Sequence, residues 1–301
     1  MDRLEAMSLL IAAVEAGSLS AASRRRGMPL ATVSRKVAEL EAHLGTRLLV
    51  RTSRRLTLTT AGEAYIAACR RILEQVGEAE RTAAGEHSAP RGDLVLTAPI
   101  VFGRLVVLPV VTEFLALYPE INIRMVLTDR VLHVIDDHID LALRIGELPD
   151  STLRATRLGT VRRVLCASPA YLTAQGVPAT PAELIRHACI SFESLPTTEP
   201  WRFADAKGKS TQAVAIRPRL AVNTAEAAID AALSGLGLAR VLSYQVATQV
   251  SAGTLRIVLP KFEPPPLPVS LVHAGSVPLP RKMQVFLELA IPRLRQRAHL
   301  G

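Results

Sequence analysis

The sequence predicts an all-α amino-terminal unit closed by a β-hairpin, then one long helix, then a two-lobed α/β domain. Three observations lead there. Residues 18–62, SLSAASRRRGMPLATVSRKVAELEAHLGTRLLVRTSRRLTLTTAG, hold two short helical patterns around a tight turn and then an Arg-rich hairpin. From residue 60, apolar residues recur at alternating steps of four and three. From residue 93, β-rich apolar runs alternate with helical patterns.

A first helix over 2–16 repeats Leu4, Met7, Leu10 or Ile11, and Val14, and Gly17 ends it with a permissive backbone. Ser18 is placed to cap the next helix. Gly27-Met28-Pro29 supplies the turn, because Gly tolerates positive φ and Pro pre-sets the φ of a first helical turn. The third helix starts at Pro29 or Leu30. Its apolar stripe is Val33, Val37, Leu40 and Leu44, which leaves Thr32, Arg35, Lys36, Glu39 and His43 facing out. Strands over 47–51 and 56–58 flank a tip of Thr52, Ser53, Arg54 and Arg55. This is the layout of a winged helix-turn-helix. Between Arg24 and Arg55 nine Arg or Lys stand against two acids, a field suited to a phosphate backbone. A basic stretch can also be a solvated face, and the motif can serve as a packing unit. The order of elements favours duplex DNA, with the wing's guanidinium groups reaching a neighbouring groove.

Thr60-Ala61-Gly62-Glu63 fits a capping box opening a helix over 60–84. Tyr65, Cys69, Ile72, Val76, Ala79 and Ala83 follow with the period of a coiled-coil seam. The seam can dock on its own domain or pair two chains. Dimerisation is favoured, since reading two half-sites calls for a two-fold axis. The Pro- and Gly-containing stretch 85–92 reads as a hinge.

Beyond it, strands are expected over 94–98, 121–127 and 140–145, with helices near 102–118 and 132–138, as parallel βαβ units. A second run begins with a strand over 161–167 and continues with a helix over 181–187 and strands over 189–192, 201–203, 213–216 and 220–222. A helix over 224–233 and strands over 237–241 and 255–258 complete it. The strand 268–273 and helix 280–296 return to the first lobe. Two such lobes joined by two crossovers form a clamshell like that of periplasmic binding proteins, with the ligand outside the strands' carboxyl ends. The expected cleft residues are Thr97, Pro99, Phe102, Thr128, Arg144, Trp201, Asn223 and Thr224. Trp201 is either a core or hairpin anchor or a ligand platform. Arg144 is either an anion partner in the cleft or the partner of a local acid such as Asp129. Thr97, Thr128 and Asn223 suit the orientation of a carboxylate, and the helix start near Phe102 adds amides.

The formal charge of +9 and pI near 10.1 call for polyanionic partners. No 18-residue run lacks charged or turn residues and no signal segment opens the chain, so a cytoplasmic protein off the membrane is expected. Cys69, Cys166 and Cys189 lie far apart without C-x-x-C spacing, so reduced buried thiols are expected over a redox pair of Cys166 and Cys189. Neither Gly-x-Ser-x-Gly nor a Walker loop is present, and Gly235-Leu236-Gly237 lacks the third glycine of a dinucleotide fingerprint. Asp136-Asp137-His138-Ile139-Asp140 suggests a metal on composition, but neighbouring residues on a helix diverge, which favours helix-end capping and solvation. No cofactor, metal or enzymatic activity is expected.

Residues 1–62, notably EAGSLSAASRRRGMPLATVSRKVAELEAHLGTRLLVRTSRRLTLTTAGE, resemble the DNA-binding domain of the LysR-type transcriptional regulators, and the remainder resembles that family's effector domain. Pro29-Leu30-Ala31 departs from the Ser-Gln-Pro or Ser-Gln-Ser of many members, whereas Thr32, Ser34 and Arg35 match contacting positions. The resemblance implies DNA contacts by Ser20, Leu30, Ala31, Thr32, Ser34, Arg35, Lys36, Arg51, Arg54 and Arg55. It implies a partly palindromic operator, a small-molecule effector, a dimer assembled into a tetramer, and contact with RNA polymerase. The cleft residues favour an organic anion as effector. The expected domains are 1–59, the linker 60–92, and the effector domain 93–301 with lobes 93–160 plus 268–301 and 161–267. The alternatives are a ligand-independent architectural DNA-binding protein and a metal-dependent enzyme.

Overall fold

The computed structural model describes residues 2–51, 56–83, 89–135, 137–150, 152–192, 200–205, 211–275 and 279–298. It divides the chain into two compact units, Met1–Gly92 and Asp93–Gly301. In the first, α1 (Arg3–Glu15), α2 (Leu19–Arg26) and α3 (Leu30–Leu44) precede an antiparallel hairpin of β1 (Leu49–Arg51) and β2 (Leu56–Leu58). The boundaries have local causes. Asp2 caps α1 and Ser18 caps α2, each side-chain oxygen accepting from an amide of the first turn, worth about 1 kcal/mol apiece. Gly27 and Gly45 end α2 and α3 in the left-handed region at φ 62° and 64°, where a Cβ is disfavoured. Val33, Val37 and Leu40 are fully buried, and Val37 and Leu40 share a core with Ala6 and Leu10 of α1. Leu44, expected in the same stripe, is 37% exposed because the helix ends there and runs past the core.

The long helix α4 spans Thr60–Ala83. Its cap is Thr59 rather than the expected Thr60: the Thr59 hydroxyl accepts from Gly62 N at 3.0 Å and itself donates to the Arg47 carbonyl at 2.8 Å. One side chain therefore starts the helix and ties it to the hairpin. Gly62, Ile66 and Cys69 are buried on the unit's own core, and Glu41 of α3 accepts from both Leu48 N and Leu49 N at 2.8 and 3.0 Å.

The second unit contains two five-stranded sheets. Lobe I comprises β3 (Gly92–Ala98), β4 (Ile121–Leu127), β5 (Leu141–Ile145), β6 (Arg154–Val161) and β14 (Leu267–His273) in the order β4-β3-β5-β14-β6. Lobe II comprises β7 (Arg163–Ala167), β8 (Cys189–Phe192), β11 (Pro218–Val222), β12 (Leu238–Leu242) and β13 (Arg256–Val258) in the order β11-β8-β12-β7-β13. The hairpin β9 (Trp201–Ala204) and β10 (Thr211–Val214) packs beside it. Both sheets are mixed, not purely parallel: β3 runs parallel to β5, but β14, returning from lobe II, is antiparallel to β5 and β6. Strand alternation explains the two-faced core of lobe II. Val164 and Cys166 face one layer with Ile190 and Ala239, while Leu165 and Ala167 face the other with Trp201 and Leu238. Cys166 and Cys189 thus sit on opposite faces with β12 between their strands, too far apart to bridge. Burial pushes the Cys166 thiol up to about 12 and the Cys189 thiol to about 11, away from redox chemistry.

The helix Ile100–Leu117, with a π-helical stretch over Gly103–Val107, is long and apolar enough to cross a membrane, but nearly half of it is buried. Its Phe114 meets Phe286 of the carboxy-terminal helix Arg281–Ala298 edge to face at 5.0 Å. Where a helix is expected over 132–138, the described residues form turns, with Asp137 accepting from His133 N at 2.7 Å and His138 at φ 57°. The strand β6 and the helices Pro169–Gln175 and Ala247–Ser251 are additions to the sequence reading. The chain crosses between lobes at Arg162 and near Glu263, and Arg162 Nη1 donates to both Glu263 oxygens at 3.0 and 3.2 Å.

Candidate nucleic-acid interface and interlobe cleft

The outward face of α3 carries the chemistry expected of a base-reading helix, although fewer of its charges are available than composition suggests. Arg35 is 64% exposed and holds Glu39, one turn on, at 2.8 Å. Ser20, Leu30 and Ala31 are exposed, and Thr32 and Ser34 are half-buried. Lys36 is the exception. Its ammonium is paired with Glu5 on α1 and its side chain is only 19% exposed, so it holds α3 to α1 instead of facing a ligand. Arg26 donates to Ser8 at 2.7 Å, and Arg25 and Arg70 share Glu15 at 3.8 and 3.2 Å. Arg51 ends β1 opposite Leu56. Arg54 and Arg55 lie outside the described residues.

Of the residues expected in the dimer seam, Cys69 has no exposed surface and is buried within its own unit, a correction that follows from the docking of α4 on α1. Tyr65 packs against the same core. Ile72 is 38% exposed, Val76 half-buried and Ala79 exposed. The helix thus spends its first half on its own domain and extends its second half beyond that core.

The two lobes meet where Phe102, at the start of the helix Ile100–Leu117, packs edge to face on Tyr244 at 5.3 Å. Ala225, the first residue of the helix Ala225–Leu233, joins the same cluster, so two helix starts converge on the seam. Arg104 and Glu226 approach across it at 3.7 Å. Asp129 Oδ1 accepts from Ile100 N at 3.1 Å, occupying the amide assigned from sequence to a ligand carboxylate. Burial raises the Asp129 carboxyl above its ordinary value and nearby Glu226 adds to this, against the pull of the Ile100 amide.

The expected cleft residues divide. Pro99 precedes the first helix start and Thr224 caps the second through Ala227 N at 3.3 Å. Thr128 accepts from Arg130 N at 3.1 Å beside Asp129, and Asn223 is exposed next to Thr224. The others turn away. Thr97 is fully buried and donates to the Val126 carbonyl at 2.8 Å, making it a strand tie. Phe102 has no exposed surface, filling the seam's core. Trp201 is 2% exposed within lobe II, with the Arg240 guanidinium 5.7 Å from its ring, so it anchors the hairpin. Arg144 donates to the Leu132 carbonyl and feels Asp137, not Asp129, because its strand position aims it at the turn after β4. Burial pulls its guanidinium below the ordinary value. Asp129, Glu226, Arg104 and Tyr244 were not singled out for the cleft from sequence. The one available signal was an acid just past a strand end, where a neighbouring helix begins.

Among the described residues no group of three His, Cys, Asp or Glu is arranged to hold a metal. Asp136 lies outside them; Asp137 and Asp140 are committed to His133 N and Val95 N. A separate cavity of about 400 Å³, lined by Tyr171, Gln175, Arg219, Ser234 and Leu236, opens on lobe II and includes none of the expected cleft residues.

Comparison with known proteins covers both units. Residues 4–63 match the family described as bacterial regulatory helix-turn-helix protein, lysR family, and residues 87–295 match the LysR substrate binding domain. The chain is 37% identical over 288 residues to an HTH-type transcriptional regulator of Xanthomonas campestris pv. campestris (strain 8004), covering 95% of this chain and 84% of that one. It resembles the solved structure of CrgA, a LysR-type transcriptional regulator from Neisseria meningitidis, with TM-score 0.62 and 30% identity over 96% of this chain and 98% of that one. Full-length LysG from Corynebacterium glutamicum with bound effector Arg matches with TM-score 0.61 over 98% and 99%; at 20% identity this is a likeness of fold.

Proposed function

Because the chain belongs to the LysR-type transcriptional regulators, DNA-binding proteins with an effector-binding domain and no enzymatic activity, we propose how its parts work. A dimer paired through the second half of α4 reads a partly palindromic operator in the cytoplasm and assembles into a tetramer through its carboxy-terminal domains. A small organic anion binds in the interlobe seam and resets the spacing of the winged units, and with it the contact to RNA polymerase. The observation that carries the anion is the convergence of two helix starts, at Ile100 and Ala225, since both present partial positive charge to the seam. An effector carboxylate there competes with Asp129 for the Ile100 amide, and Thr128 and Thr224 flank it. A ligand shifts the assembly only as far as its affinities for two states differ, and exchange of one carboxylate for another supplies such a difference.

A melting screen of small aromatic and aliphatic acids tests this reading, coupled to footprinting of the operator. An acid at 100 times its Kd is expected to add about 2.7 kcal/mol to stability and to alter the footprint. Protection of a specific site that no acid changes, with no acid raising the melting temperature, would leave a ligand-independent DNA-binding protein.

Base reading has its own expected result. Arg35 must exchange Glu39 for a base edge, and its guanidinium fits a guanine in bidentate fashion. Arg35→Ala is expected to cost about 1–3 kcal/mol and to relax specificity at one position per half-site. Equal weakening on all sequences would make Arg35 a phosphate clamp.

A further inference from the structure

The start of α3 carries an exposed apolar patch within the helix-turn-helix unit. Pro29, Leu30 and Ala31 are all exposed, and Leu30, a side chain that ordinarily seeks a core, is 45% exposed at the first position of the helix. Packing of α3 is complete without it: Val33, Val37 and Leu40 fill the core. Pro29 contributes no side-chain hydrogen bond to cap the helix, so the patch has no polar reader of its own. Cations flank it in sequence, with Arg24, Arg25 and Arg26 in the last turn of α2 and Arg35 further along α3. Although Arg25 meets Glu15 and Arg35 meets Glu39 within the chain, these exposed pairs are weak enough to exchange for phosphate, so the occupant proposed is a polyanion that also offers an apolar group. Duplex DNA fits both demands, because thymine alone among the bases presents a methyl group in the major groove.

We propose that Leu30, with Ala31 beside it, reads thymine by contact with its C5-methyl group. The proposal rests on the reading of α3 as the base-contacting helix. It assigns this chain a preference for T where a polar side chain at the same position would select by hydrogen bonding, and it gives the Pro29-Leu30-Ala31 departure a positive role.

Deoxyuridine, which is thymidine without the methyl group, tests it with full-length protein. A site is first selected from random duplexes, and each thymine of a half-site is then replaced singly by uracil. At one or two positions the loss of the methyl is expected to weaken binding about fourfold. Leu30→Ala, a change at an exposed position, is expected to bind the same site more weakly but to lose the uracil effect at those positions, while Arg35→Ala keeps it. Leu30→Gln is expected to move the preference there from T towards A, since a glutamine amide pairs with the adenine edge. Indifference of the wild type to uracil at every position, or full uracil sensitivity in Leu30→Ala, overturns the methyl contact while leaving α3 as the reading helix. Failure to select any site overturns both.

Discussion

Ile72→Asp is expected to yield a monomer that no longer protects two half-sites. Gly62, Ile66 and Cys69 already fasten the first half of α4 to its own unit, so position 72 contributes little to the fold of a single chain and is 38% exposed. In the proposed dimer its apolar side chain packs against a second copy of the helix. A carboxylate placed in that contact in each chain is left without a partner, at a cost of about 3–5 kcal/mol per buried charge, enough to dissociate most dimers at micromolar concentration. Light scattering reads the mass and footprinting reads the half-sites. The melting temperature of the winged unit should stay near that of the wild type, which separates lost assembly from lost folding. A variant that remains dimeric would move the interface off this face of α4.

Gly62→Ala is expected to destabilise the winged unit and abolish tight operator binding, although alanine in place of glycine stabilises an ordinary helix by about 1 kcal/mol. A Cβ at position 62 would lie 2.1 Å from the Leu48 carbonyl oxygen and 3.0 Å from Leu58 Cδ2. The first of these is backbone, pinned by the Thr59 amide, which donates to it at 3.0 Å, and by Glu41 on the amides of Leu48 and Leu49, so it cannot yield alone. Either α4 lifts or the hairpin moves. Overpacking of this kind costs about 1–3 kcal/mol or more, and moving the hairpin changes its position against the helices of the same unit, on which the proposed operator contacts depend. Calorimetry should show an earlier transition for the amino-terminal unit and an unchanged one for residues 93–301. An unchanged melting profile with full DNA affinity would mean that the helix start has slack the packing does not suggest.

Much of this architecture was legible because local chemistry and packing agree. Caps at Ser18, turns at Gly27 and Gly45, and the Val33, Val37 and Leu40 stripe each point to the same three helices. Lobe II was readable because alternate residues of its strands are buried on two faces. The strand Arg154–Val161 was missed because its charged and exposed positions hide a burial that comes from pairing with β14, more than 100 residues away. The sequence predicts a helix after β4 because periodicity cannot show that Asp137 bends back onto the His133 amide of its own chain. Site residues suffered from the same locality. Lys36 and Glu5 are 31 positions apart, and no count of charges shows that they neutralise each other. Thr97 and Trp201 carry ligand-binding chemistry, but strand neighbours take them up: Thr97 ties to the Val126 carbonyl and Trp201 packs in the core of lobe II.

The bond between Arg162 and Glu263 bears on how the two lobes can move. It joins the first crossing to the second, so the lobes hang on one axle and not on a pair of loose tethers. Independent tethers would let the lobes slide, twist and splay, and the free energy of a bound effector would spread over many small displacements. A clamped pair leaves chiefly one rotation, with Ser243 fixed to the same axle through the Arg162 backbone at 2.8 Å. If an effector binds at the seam as proposed, its free energy acts chiefly as torque about that single line.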